Sequence, residues 1–166
     1  NDISEIADKL GFDKFAIMGV SGGAPYAAVC AYKLADRITK ANIIVGLAPT
    51  YIKNICDGMK LTSKMSWSNY HKFSILTNIA GYLVALRALL IKINPFLAET
   101  CERTCTQESV KNGPKGVISD LQIYSSAWCF DLQDIKIPVE LWYGDDDVLV
   151  SLKMGKYYES KIPNSK

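Results

Sequence analysis

The stretch Gly19-Val20-Ser21-Gly22-Gly23 has the pattern G-x-S-x-G and separates two segments of different character. The residues before it, Phe15-Ala16-Ile17-Met18, are apolar and partly β-branched, which predicts a buried strand. Residues 24–35 after it are rich in alanine and predict a buried helix, with Pro25 in the first turn, where a missing N–H costs little. A serine on a sharp turn from strand to helix is the arrangement of a nucleophile elbow.

The residues around Ser21 fit this interpretation. Such a turn holds the serine at a strained backbone angle with its hydroxyl exposed. Gly19 and Gly23 are expected where strand and helix crowd together and a Cβ would clash. The N–H of Gly22, at the start of the helix, is expected to point to the place where an oxyanion forms. The alternative is a glycine-rich turn without chemistry; a phosphate loop fits less well, because neither G-K-[ST] nor G-x-G-x-x-G is present.

Composition sets limits on the class of protein. The chain has 166 residues, 49% of them apolar, so one domain with a real core is expected and disorder is excluded. The net charge of +2 is spread along the sequence and gives no reason to expect a nucleic-acid partner. Five cysteines at irregular spacing favour reduced thiols and a cytoplasmic location. The first residues are neither basic nor apolar, so we expect no signal peptide, and the lack of an initial Met suggests an excerpt.

Helical and strand patterns alternate on both sides of the elbow. A helix is predicted from Asp2 to Leu10, ended by Gly11, and the helix after the elbow is predicted to end near Asp36-Arg37. A second buried strand is predicted over residues 41–48, closed by Pro49. This order predicts an α/β fold with parallel strands and right-handed crossovers.

The pattern changes between residues 51 and 126. No strand-like run occurs there, so we predict a helical cap (51–126) inserted between two parts of the core, 1–50 and 127–166. Apolar residues at helical spacing predict one long helix that ends at Asn94-Pro95. Shorter helices are expected near 96–105 and 114–124.

The last forty residues return to the core pattern. Residues 139–144 predict a third strand, buried on both faces. Residues 152–161 predict a final helix, and 162–166 a loop.

The long cap helix raises the question of a membrane. Its most apolar part, Ile75–Ile91, is at the lower length limit for crossing a bilayer and contains Asn78 and Arg87. The sequence therefore favours a helix packed over the core or over an apolar substrate pocket. Membrane contact of the cap at the lipid interface stays open as an alternative.

Several motifs together resemble the α/β-hydrolase family. They are Leu10–Phe15 leading into Gly19–Ala27, Asp36–Ile38 followed by Gly46–Pro49, and the run from Trp128 to Asp147, including Gly144-x-x-Asp147-x-x-Val150. The helical insertion resembles the lid that many members carry. The resemblance implies that Ser21 is the nucleophile, Asp147 the triad acid and Gly22 one oxyanion donor. It implies a serine hydrolase that cleaves a small to medium, moderately apolar carboxylic ester or related acyl bond, without a cofactor or metal.

The chain departs from the family's pattern in two ways. The family's catalytic histidine follows the acid, whereas the sole histidine here is His71, within the cap. The strands before the elbow, with the loop that gives the second oxyanion N–H, also have no counterpart. We therefore expect the parent protein to be an active hydrolase and residues 1–166 alone to have negligible activity. The alternative is a non-catalytic binding protein of the same fold; the oligomeric state stays open.

Other residues have plainer interpretations. Asp145 and Asp146 are alternatives to Asp147 but fit solvated turn residues better, and a metal site at the three carboxylates lacks further ligands. Cys101 and Cys105 are four residues apart on a predicted helix, which is weak evidence for zinc. Four aromatic residues of the cap could line an acyl pocket or simply pack within the cap: Tyr51, Trp67, Tyr70 and Tyr82.

Overall fold

The computed structural model describes residues 2–70 and 74–166. Its centre is a parallel sheet of three strands in the order β1-β2-β3: β1 (Phe15–Val20), β2 (Ile38–Ile44) and β3 (Val139–Trp142). The helices are α1 (Asp2–Lys9), α2 (Ala24–Lys33), α3 (Leu61–Tyr70), α4 (Ser74–Ile93), α5 (Thr100–Ser109), α6 (Lys115–Ser125) and α7 (Leu152–Lys161). The predicted α/β class with three parallel strands and flanking helices is confirmed.

The strand register brings three strand ends into one row. Val20 at the end of β1 pairs with Ile44 of β2, and Ile44 pairs with Trp142 of β3. The loops that leave the three strands therefore emerge at the same edge of the sheet. Adjacent strands lie about 4.8 Å apart, so the ends of β1 and β3 are separated by about 10 Å.

The second strand differs from its prediction. It runs from Ile38 to Ile44, not over 41–48, because Val45 takes a left-handed φ of +41° that ends the extended conformation. The helix after the elbow ends at Lys33, three residues before the predicted boundary, because Leu34 leaves helical geometry. Three other elements end close to where the sequence predicts. The observed ends of α1 at Lys9, β1 at Val20 and β3 at Trp142 each lie within two residues of the predicted end.

The last residues were predicted as a loop but pair with the sheet. Ser165 forms a parallel bridge with Val139 at the start of β3. The N–H of Leu141 donates to the carbonyl of Lys166 at 2.9 Å, and the N–H of Lys166 donates to the carbonyl of Val139 at 3.1 Å. The loop prediction is confirmed for residues 162–164 and misses the pairing of the last two residues, because so short a pairing leaves no period in the sequence.

The core lies between the sheet and helices α2 and α7. Small residues of α2 face the sheet, as Ala24, Ala28 and Ala31 are fully buried, which lets the helix approach β2 closely. From α7, Met154 and Tyr158 are also fully buried against the loop that follows β2.

Helices α3 to α6 occupy the segment predicted as a cap. Between β2 and β3, the residues that the structure describes contain no strand. The predicted helices at 96–105 and 114–124 are observed as α5 and α6, displaced by up to four residues. His71 lies outside the described residues. The division into 1–50, 51–126 and 127–166 stays a prediction.

Candidate active site

Ser21 sits where β1 turns into α2. Its φ is +51°, in the left-handed region that non-glycine residues rarely adopt, and it opens a 3₁₀ turn over Ser21–Gly23. Its carbonyl accepts hydrogen bonds from the N–H of Ala24 and, at 3.0 Å, from the N–H of Leu47. The side chain is exposed and its hydroxyl has no hydrogen-bond partner among the described residues. Strain in the backbone thus presents a free hydroxyl at the sheet edge.

The two glycines that flank the turn have different roles. A methyl group on Gly19 would lie 2.6 Å from the Gly23 carbonyl oxygen and 2.7 Å from the Ala27 Cβ, so only glycine fits there. A methyl group on Gly23 would meet nothing within 4 Å. The expectation that both positions exclude a Cβ is wrong for Gly23, because α2 begins one residue later and carries the crowding at Ala24 and Ala27.

Gly22 is covered by a residue that the sequence did not single out. A methyl group on Gly22 would lie 2.6 Å from the hydroxyl oxygen of Tyr124, near the end of α6. The Tyr124 carbonyl accepts two hydrogen bonds from Thr50, one from its N–H at 3.0 Å and one from the Thr50 side-chain hydroxyl at 3.3 Å. Burial and the carboxylate of Asp120 raise the pKa of Tyr124 to about 12, so its hydroxyl stays protonated at neutral pH. Helix α6 therefore delivers a hydrogen-bond donor beside the proposed oxyanion donor.

A second tyrosine ties α2 to α6 at the same place. The hydroxyl of Tyr26 donates a short hydrogen bond to the carboxylate of Asp120. Burial, together with this carboxylate, raises the pKa of Tyr26 far above its usual range, so it too is a neutral donor. The spacing Asp120-x-x-x-Tyr124 puts both residues on one face of α6, which is the signal that could have revealed them.

Two buried tyrosines hold the loop that supports the elbow. The hydroxyl of Tyr143 donates to the carbonyl of Gly46 at 2.9 Å, and that of Tyr158 donates to the carbonyl of Leu47 at 2.8 Å. Leu47 in turn donates its N–H to Ser21. Residues after β3 and on α7 therefore fix the loop on which the Ser21 backbone rests.

Asp147 differs from its two acidic neighbours. One of its carboxylate oxygens accepts hydrogen bonds from the N–H groups of Leu149 at 2.7 Å and Val150 at 3.0 Å. The side chain is half-buried, whereas Asp145 and Asp146 are exposed. Two backbone donors fix the Asp147 carboxylate in one orientation, which is what a group that orients a base requires.

The structure places Ser21 and Asp147 at the same edge of the sheet, after β1 and β3. Strand β2 lies between β1 and β3, so the ends of these two strands are about two strand spacings apart. The one histidine of the sequence, His71, lies outside the described residues. Residues 2–70 and 74–166 therefore supply no imidazole to the site. The roles of Ser21, Gly22 and Asp147 stay predictions.

The four cap aromatics do not form one pocket. The Trp67 ring contacts Tyr124 and Tyr70 edge-on, with centroids 6.0 and 5.4 Å apart, so it lies near the elbow through Tyr124. Tyr51 lies elsewhere, in a groove with Trp128 and Tyr157, and Tyr82 is exposed on α4. None of the five cysteines forms a disulfide, and no group of three or more potential metal-ligating side chains is found among the described residues.

Comparison with known proteins gives matches at the level of structure. No family model matches the sequence, and no curated protein matches it. Among solved structures, an esterase from Exiguobacterium antarcticum aligns with a TM-score of 0.65 at 14% identity, over 99% of this chain and 61% of that one. A proline iminopeptidase from Mycobacterium smegmatis gives 0.60 at 12%, over 99% and 60%. An α/β hydrolase fold protein from Nakamurella multipartita gives 0.55 at 16%, over 99% and 63%.

These similarities establish the fold. The chain has the α/β-hydrolase fold and spans about 60% of the length of the proteins it resembles, as expected of a portion of such a fold. The neighbours include enzymes that differ in the bonds they cleave, so the likeness supports a hydrolase fold and does not identify a substrate.

Proposed function

We propose that the protein to which these residues belong is a serine hydrolase that cleaves a carboxylic ester or a related acyl bond through an acyl-enzyme. The observation that carries the proposal is the φ of +51° at Ser21, an exposed serine on a strained turn from strand to helix. A structural turn has no need of such strain at a serine when a glycine would adopt the same angle freely. Strain at an exposed nucleophile is a feature of a working elbow.

In this proposal the Ser21 Oγ attacks the substrate carbonyl carbon and passes its proton to a base. The carbonyl π bond opens to an oxyanion, which the N–H of Gly22 stabilises at the start of α2. The base then protonates the leaving alcohol as the C–O bond breaks, leaving an acyl group on Ser21. Water, activated by the same base, releases the acid and restores Ser21.

The base is proposed to be a histidine outside residues 1–166. The pairing of Ser165 and Lys166 with β3 supports this location. A strand continued in that direction would run parallel to β3 towards the edge where the Asp147 carboxylate lies. The carboxylate would accept the imidazole N–H and fix its tautomer.

Tyr124 is proposed to complete the donor set from the cap. Its protonated hydroxyl lies against Gly22, on the face where the substrate carbonyl would bind. A hydrogen bond from a second donor at this place would become stronger as negative charge develops on the carbonyl oxygen of the substrate. The aromatic ring of Trp67 beside it would make the adjoining acyl site moderately apolar.

The test uses the full-length protein with a p-nitrophenyl butyrate assay and a fluorophosphonate probe. Ser21→Ala is expected to abolish labelling and to lower kcat/KM by about 10⁴-fold or more. Asp147→Asn is expected to lower it by about 10⁴-fold, while Asp146→Asn, the matched change on an exposed neighbour, leaves it within about twofold. Wild-type protein that neither hydrolyses esters nor takes up the probe would overturn the proposal and favour a binding protein of the same fold.

A further inference from the structure

Helix α4 has two opposite faces of unusual character. One face is built from small and buried residues: Thr77, Ala88 and Ile91 are almost fully buried, and Gly81 packs against Ile118 of α6. The other face is an apolar stripe made of Ile75, Ile79, Tyr82, Leu86, Leu89 and Ile93. These six side chains are 49% to 72% exposed. Spacings of three and four residues align them along about 28 Å of helix.

The stripe continues beyond the helix. Phe96, in the 3₁₀ turn Pro95–Leu97 that follows, is 98% exposed, and the Asn94 side chain caps this turn by accepting from the Phe96 N–H at 3.2 Å. A contiguous apolar surface of this length is far beyond the single exposed residues that soluble proteins tolerate. It requires a partner that is itself apolar and extended.

Charge indicates what kind of partner. Residues 51–126 contain nine lysines and arginines against five aspartates and glutamates, a net charge of +4, while the rest of the chain carries −2. Lys115 borders a groove of about 600 Å³ that Ile75 and Ile79 also line, and Lys92 is exposed near the end of α4. Neither lysine has an ion-pair partner in the part of the chain that the structure describes.

We propose that the apolar stripe of α4 docks the protein onto an anionic lipid surface, with the helix lying in the plane of the membrane interface. The combination of an apolar face with surrounding basic side chains and an aromatic residue is typical of interfacial helices. A second copy of the chain is a poorer occupant, because its cap would bring another charge of +4 against the first.

The helix is long and apolar enough to cross a membrane, but its contacts fit the interface better. Arg87, in the second half of α4, pairs with Glu102 of α5, and the buried face packs on α5 and α6. Insertion across a bilayer would bury Arg87 and separate α4 from both neighbours. Lying in the interface requires neither change.

The test is co-sedimentation of the full-length protein with vesicles of phosphatidylcholine containing about 30% phosphatidylglycerol. Wild-type protein is expected to bind, and to bind at least tenfold more weakly at 0.5 M salt than at 0.05 M, because screening weakens the attraction of the basic residues. Leu86→Gln combined with Leu89→Gln is expected to weaken binding at least tenfold. Leu61→Gln, an equally exposed leucine at the start of α3, is the matched control and should bind as the wild type does.

The basic residues are tested in the same assay. Lys92→Glu combined with Lys115→Glu is expected to weaken binding to the anionic vesicles at least tenfold, whereas Lys156→Glu, on the exposed side of α7, leaves it unchanged. Four results would overturn the proposal. The first is that the wild type stays in the supernatant, and the second is that the stripe variants bind as well as the wild type. The third is that the stripe variants lose thermal stability in vesicle-free buffer, which would show that another part of the protein covers α4. A wild-type dimer that Leu86→Gln converts to a monomer, without vesicle binding, would overturn it in favour of self-association.

Discussion

The elbow and helix α4 use apolar and small residues in opposite ways. Around Ser21 most small residues are explained by a neighbour: Gly19 admits no Cβ, and Ala24 and Ala28 are buried against β2. In α4 the small residues Gly81 and Ala88 also face the fold, as does Ile91, but the large apolar residues of the stripe face outwards. Apolar residues therefore form the interior only where strands and helices cover them, whereas the apolar stripe of α4 forms part of the surface.

The largest effect on stability is expected at the crowded glycine of the elbow. Gly19→Ala would place a methyl group 2.6 Å from a backbone oxygen that has no room to move, and should lower the free energy of unfolding by about 3 kcal/mol. Gly23→Ala, four residues on, meets open space and should change it by less than about 0.5 kcal/mol. Urea denaturation of both variants measures the difference, and equal effects would contradict the crowding argument.

The two faces of α4 offer a second contrast. Ile91→Ala removes a side chain that is 1% exposed and should lower the free energy of unfolding by about 2–4 kcal/mol. Leu86→Ala, on the apolar stripe, should change it by less than about 0.5 kcal/mol. Thermal unfolding monitored by circular dichroism distinguishes the two. A large loss at Leu86 would mean that the stripe is covered in the full-length protein and that the contrast between the regions is false.

A third test addresses the contact between the elbow and helix α6 of the cap, at Gly22. Tyr124→Phe keeps the ring against Trp67 and removes only the hydroxyl beside Gly22, so kcat/KM for an ester is expected to fall about tenfold through kcat. Thermal stability should stay within a degree or two, since no hydrogen bond donated by this hydroxyl is found among the described residues. Tyr82→Phe, on the exposed face of α4, is the matched control. A change in stability without a change in kcat would assign Tyr124 a packing role.

The sequence predicted the elements better than their contacts. Strong local signals determined β1, the turn at Ser21, α4 and α7, because apolar runs and turn residues act within a few positions. The end of β2 was misplaced because Val45 continues a β-branched run, while its backbone takes a left-handed angle next to Gly46, where a Cβ would lie 2.5 Å from that of Ala24 on α2. That constraint comes from residues distant in sequence and leaves no local pattern.

The candidate site shows the same division. Ser21 and Asp147 could be chosen from motifs, since each follows a recognisable strand. Tyr124 could not, because its place at Gly22 depends on how α6 returns to the core, through hydrogen bonds with Thr50. The exposed stripe of α4 also escaped prediction, since periodicity gives the width of an apolar face and not what covers it.

The smallest expected effect concerns the ion pairs that join the start of the cap to α7. The Asp57 carboxylate accepts from Lys64 at 2.7 Å and from Lys153 at 2.8 Å, and these lysines lower its pKa from 3.8 to about 2. Because the folded state holds the charged form more strongly than the unfolded state, the stabilisation is complete above about pH 4. It is lost as the pH falls towards 2, since the unfolded chain then binds the proton first.

Melting temperatures of the wild type and Asp57→Asn, taken from pH 6 to pH 2, measure this link. The difference between the two proteins should be a few degrees at most at pH 6, since the pair is largely exposed, and should become much smaller as the pH falls to 2. Lys153→Met should reduce the pH-dependent part, whereas Lys156→Met, one turn further along α7, should leave it intact. A difference of the same size at pH 2 would mean that the charge of Asp57 has no part in joining the two regions, and would leave the Ser151 hydroxyl, which donates to the Asp57 backbone carbonyl at 2.5 Å and is unaffected by the Asn change, as the bond that joins them.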